Sequence, residues 1–119
     1  HNDGDGGFGT NGDQDIIKCG NYTGNGLADG PTVDLGWQPQ WVLIKKTASG
    51  DSGNWYIFDS VRGVVTGSND QYLSANATDI DQAASLIDFT NTGFKITQAG
   101  NAGMNNGGID FIYMAIRAA

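Results

Sequence analysis

The chain has 119 residues, with nineteen glycines, thirteen acidic side chains that are all aspartate, and a formal net charge of -7. One domain with a single modest core fits that length, and abundant turn residues beside scarce Glu and Lys point to an all-β fold. The negative balance argues against a nucleic-acid partner, whose phosphates it would repel.

In chain order, residues 1–14, HNDGDGGFGTNGDQ, carry almost no apolar side chain except Phe8. They cannot bury enough surface to offset their ordering entropy, so they read as a flexible acidic arm or linker ahead of a β-domain over 15–119. The first residue is His rather than Met, which suggests a processed chain or a piece of something longer. Asp3, Asp5, Asp13 and Asp15 are the grouping that most suggests calcium. The bidentate Glu of an EF-hand is missing, so a solvated acidic arm is the plainer reading and no cofactor is expected.

Beyond the arm, apolar runs alternate with turn clusters at the spacing of a sandwich or barrel. Strands are expected near 15–22, 32–36, 41–47, 54–59, 71–75, 85–89, 93–98 and 109–117. Eight short strands make a two-sheet antiparallel sandwich of jelly-roll type. A helical turn is conceivable only in TDIDQAASL, residues 78–86, where an Asp could cap it. The apolar runs are too short for a helical membrane span and no signal-type segment heads the chain, so no membrane insertion is expected.

Cys19 is the sole cysteine and lies in the strand DIIKCGNY. No internal disulfide is possible, and a small buried thiol is the expected role. The stretch YTGNGLADG (22–30) offers G-x-G, but Asp29 replaces the third glycine of a dinucleotide loop and Gly30-Pro31 stops any helix. Asn25-Gly26 is instead expected to form the type I′ corner of a hairpin, with both residues at positive φ.

WVLIKK (41–46) and IDFIYMAIR (109–117) are continuous apolar runs rather than alternations. Such runs belong to central strands covered on both faces. Trp41, Leu43, Ile112, Met114 and Ile116 are the expected core. NWYIFD puts Trp55 and Ile57 on one face and Tyr56 and Phe58 on the other, while GFKIT sends Phe94 and Ile96 inward and Lys95 out.

Nucleophilic catalysis needs a base beside the nucleophile, and the only histidine is His1 at the chain's start. Asp59 and Asp88 could form an acid-base pair, but an Asp59–Arg62 pair that holds the turn after NWYIF is the plainer reading. Trp37, Tyr56 and Tyr72 are the rings best suited to stack on a sugar. Twelve aromatic residues exceed what a core this small can hide, so some rings are expected at an interface. Arg117, Lys45 and Lys46 would then meet a neighbour's acidic turns.

The ordered motifs GNYTGNGLADGPTVDLGWQPQWVLIKKT, NWYIFDSVRG, YLSAN, LIDFTNTGFKI and GGIDFIYMAIR, over about residues 20–117, resemble a β-rich domain that recurs in virion proteins of tailed bacteriophages, marine and cyanobacterial phages included. One departure is Phe111 where a Tyr is usual. The resemblance implies a non-catalytic, extracellular virion-surface module, part of a tail fibre or adhesin that contacts host surface glycan. A capsid or tail decoration protein is the alternative, and a surface-polysaccharide hydrolase the third reading. Self-association, as trimers in a fibre, and contacts with other virion proteins are the expected partnerships.

Overall fold

Short β-branched and aromatic runs separated by glycine turns form nine strands in the computed structural model, which describes residues 10–12, 15–48, 54–78, 82–100 and 103–119. They are β1 (Ile17–Thr23), β2 (Thr32–Asp34), β3 (Pro39–Lys46), β4 (Trp55–Asp59), β5 (Asp70–Ser74), β6 (Gln82–Ala84), β7 (Ile87–Thr90), β8 (Gly93–Ile96) and β9 (Asp110–Arg117). A six-stranded sheet has the order β1-β9-β3-β4-β5-β6, and a three-stranded sheet the order β2-β8-β7. Every pairing is antiparallel. The fold is all-β, with no helix among the described residues. All eight expected strands are present. The ninth, β6, lies in the one stretch where a helical turn was conceivable: Gln82–Ala84 pairs with Asp70–Tyr72 at the sheet edge, and this ladder overrides alanine's helix preference. Residues 1–9 and 13–14 of the arm fall outside the described residues, and 10–12 are exposed.

The core lies between the sheets. From the large sheet come Tyr22, Val42, Ile44, Phe58, Phe111, Tyr113 and Ala115; Val33, Ile87, Phe94 and Ile96 come from the small one. Tyr22 stacks on Phe111 with centroids 5.1 Å apart, and Phe94 meets Tyr22 and Tyr113 edge-on at 6.3 and 5.3 Å. These contacts tie β8 to β1 and β9. Each fully buried phenylalanine contributes roughly 2–3 kcal/mol. Gly20, opposite Tyr113 in the ladder, leaves room for that ring, since a Cβ there would lie 2.5 Å from the hydroxyl.

The expected core is corrected by one residue in each central strand. Val42 and Ile44, not Trp41 and Leu43, point inward on β3, and Phe111, Tyr113 and Ala115 replace Ile112, Met114 and Ile116 on β9. A shift of one flips every side chain to the opposite face. Because both alternating sets are apolar, the sequence pattern could not choose between them. Trp55/Ile57 and Tyr56/Phe58 do separate as expected, and Phe94 and Ile96 are buried on either side of Lys95.

The Asn25-Gly26 corner is also corrected. Only glycines have positive φ among the described residues, Gly26 at 72° included, so a type I′ turn is excluded. β1 and β2 belong to different sheets, and the segment between them carries the chain across the sandwich. It is stitched to residues 98–109 instead. The Gly24 amide donates to the Ile109 carbonyl at 2.9 Å and the Gly108 amide to the Gly24 carbonyl at 2.9 Å. Fully buried Asn105 accepts from the Asn25 amide at 2.9 Å and donates to the Leu27 and Gln98 carbonyls at 2.7 and 2.8 Å. Asn25 in turn accepts from the Leu27 amide at 2.9 Å, an Asx turn.

Candidate functional site on the outer sheet face

The side chains that the one-residue correction removes from the core line up on the outer face of the large sheet. Ladder register arranges them in three rows: Ile17–Ile116–Trp41–Asp59, then Cys19–Met114–Leu43–Ile57–Leu73, then Asn21–Ile112–Lys45–Trp55. Ile112 is 46% exposed and Trp55 37%, and most of the others are half-buried by their neighbours alone. A shallow depression of about 350 Å³ sits among Cys19, Leu43, Lys45, Trp55, Ile112 and Met114. The Lys45 ammonium lies 5.9 Å from the Trp55 ring centroid, within cation-π range.

This lining suits apolar side chains better than a sugar, whose hydroxyls need several fixed donors and acceptors. At one end, Asp59 accepts from the Arg62 backbone amide at 2.6 Å and faces the Arg62 guanidinium at 3.4 Å. Among the described residues, no group of three His, Cys, Asp or Glu side chains is placed to hold a metal. Of the calcium candidates, Asp3, Asp5 and Asp13 lie outside those residues, while Asp15 is half-buried just ahead of β1.

A family model for a domain of unknown function, DUF7483, matches residues 14–119. The chain belongs to the DUF7483 family. No curated protein and no solved structure matches it.

Within this DUF7483 domain the sugar-stacking candidates separate. Trp37 is 7% exposed and belongs to the core, which removes it from any binding surface. Gly36, at φ 79°, turns the chain so that this ring folds inward. Tyr56 and Tyr72 stay together, half-buried with centroids 5.5 Å apart, beside Phe58 on the inner face of β4 and β5. Burial pushes the Tyr56 hydroxyl above its ordinary range, with a smaller push from Tyr72. Cys19 is half-buried on the outer face rather than in the core. Lys46 is 7% exposed and faces inward, so it presents no charge to a neighbour, whereas Lys45 does.

The carboxylates serve the backbone. Asp88 accepts from the Gly67 amide at 3.2 Å. Asp70, absent from the sequence-derived candidates, is fully buried and accepts from the amides of Val65, Leu86 and Ile87 at 2.9, 3.0 and 3.0 Å. Its one sequence signal is its place between a Gly-Ser-Asn turn and an aromatic strand.

Because Asp59 holds the turn through the Arg62 backbone, Asp59→Ala is expected to cost about 1–2 kcal/mol, and Arg62→Ala, which removes the partly exposed ion pair, at most about 1 kcal/mol. Urea unfolding of both variants checks the order. Equal losses would mean that the guanidinium, not the amide, holds the turn.

Proposed function

We propose that this domain is a non-catalytic structural module of the bacteriophage virion surface, part of a tail fibre or adhesin, that works packed against neighbouring subunits and contacts host surface glycan. The observation that carries the packing is the outer face of the six-stranded sheet. Its central strands are apolar on both sides, as in sheets covered twice, yet among the described residues only the inner side is covered. The virion setting rests on the resemblance of the chain's ordered motifs to those of phage virion proteins. Asp59, Asp70 and Asp88 each hold backbone amides, which favours architecture over hydrolysis. The half-buried Tyr56–Tyr72 pair is the surface offered to glycan.

Immunogold microscopy of phage particles with an antibody to this domain tests the placement, alongside incubation of the purified domain with host polysaccharide. Label on the fibres and no new reducing ends are expected. Label spread over the capsid would favour a decoration role, and rapid depolymerisation would overturn the non-catalytic reading.

A further inference from the structure

We infer that the outer face of the six-stranded sheet is a self-complementary interface that a second copy of this chain covers through a two-fold axis. The inference deepens the proposed structural role and rests on it only in that both use this face.

Charge singles out the partner. The chain carries thirteen acids against six Lys and Arg, yet within the three outer rows the only charged side chains are Lys45 and Asp59. Two acidic copies can therefore meet here without opposing their carboxylates. Those two charges also sit in opposite outer rows, Lys45 beside Trp55 and Asp59 beside Trp41. A two-fold axis in the interface, running across the strands along the Cys19–Met114–Leu43–Ile57 row, lays the first row of one copy over the third row of the other.

Lys45 then reaches the Trp41 ring of the second copy, one strand spacing from its Asp59, and Asp59 lies against the second copy's Trp55 indole. Each contact occurs twice, as an isologous interface requires. Leu43, Met114 and Ile57 meet at the centre, where interfaces are most apolar. Turning the axis parallel to the strands would instead set Lys45 on Lys45.

The area is sufficient. Strands about 4.8 Å apart, rising about 3.3 Å per residue, give roughly 400 Å² of flat face per copy over five strands by five residues. Corrugated side chains on both copies bring the total near the roughly 1,000 Å² that a specific interface needs.

Sedimentation velocity of the purified domain over a range of micromolar concentrations, paired with maleimide labelling of Cys19, tests the pairing. Cys19 lies in the row on the axis, so its labelling is expected to slow about tenfold once about nine-tenths of the chains are paired. The mass should correspond to two copies and halve on dilution. Leu43→Asp should give a monomer with wild-type near-ultraviolet circular dichroism and fast labelling at every concentration. A wild-type monomer with concentration-independent labelling would overturn the two-fold pairing, and so would a trimer. Neither result bears on immunogold placement, so the failure of this inference and of the virion role are told apart.

Discussion

Gly93→Ala is expected to lower the thermal midpoint of the domain by more than about 10 °C, corresponding to a loss of about 3 kcal/mol or more. Gly93 opens β8 opposite Asp34 of β2 and Thr90 of β7, at the tightest point of the small sheet. A Cβ there would lie 1.9 Å from the Val33 carbonyl oxygen and 3.1 Å from the Leu35 amide nitrogen. Both are backbone atoms and cannot swing away as a side-chain tip would. Moving them strains the bonds from the Leu35 and Gly36 amides to the Thr92 carbonyl, 2.7 and 3.0 Å long. Gly36→Ala is the control, since Gly36 has φ 79° and open space around its Cβ. It should cost only about 1 kcal/mol, the price of a left-handed alanine. Circular dichroism melts of the two variants check the contrast, and equal losses would mean that backbone crowding at Gly93 relaxes freely.

Asp70→Ala is the second large effect, an expected loss of about 3–5 kcal/mol, because three amides lose their acceptor and each buried orphan costs about 1–3 kcal/mol. The carboxylate joins the loop before β5 to the start of β7, so it links the two sheets. Burial pushes its pKa above the ordinary Asp value, the three amide bonds pull it back, and the Asp88 charge adds to the rise. A raised folded value means that the folded chain binds the proton more tightly than the unfolded chain does. Its contribution therefore favours folding as pH falls through the raised value toward the ordinary carboxylate range near about 4, and is lost as pH rises through it. Asp70→Asn removes the titration and keeps one acceptor oxygen. The stability difference between wild type and Asp70→Asn should grow on acidification across that window. A difference independent of pH would contradict the raised pKa.

Strand positions were legible because turn residues punctuate short β-branched and aromatic runs, and runs of that length and make-up form strands. Facing was legible where a strand mixes polar and apolar residues, as GFKIT does. WVLIKK and IDFIYMAIR carry apolar residues at both parities, so their facing depended on long-range register, which Gly20 and Tyr113 help to fix. The same ambiguity hid the candidate site, since residues assigned to the core are the ones that form it.

The glycines of YTGNG and TGF hid their roles for a different reason. Gly24 and Gly93 are required not for positive φ but because backbone passes where a Cβ would be, 2.3 Å from the Asn106 carbonyl in the case of Gly24. Contacts across 78 to 80 residues, like those of Asn105 with Asn25, Gly26 and Leu27, leave no local signature. Buried Asp70 was missed because two of its three partners, Leu86 and Ile87, lie just before and at the start of β7 in the other sheet, 16 and 17 residues along the chain.

Cover over the outer sheet face is what separates a packed module from a domain that works alone. Hydroxyl-radical footprinting of Trp41, Trp55 and Met114, in the domain at concentrations where it self-associates and in the dilute domain, measures this directly. Val61, 94% exposed on the turn after β4, serves as the internal reference. Strong protection of all three residues in the assembled form is expected, with unchanged oxidation of Val61. Equal reactivity of Trp55 and Met114 in the two forms would contradict a covered face.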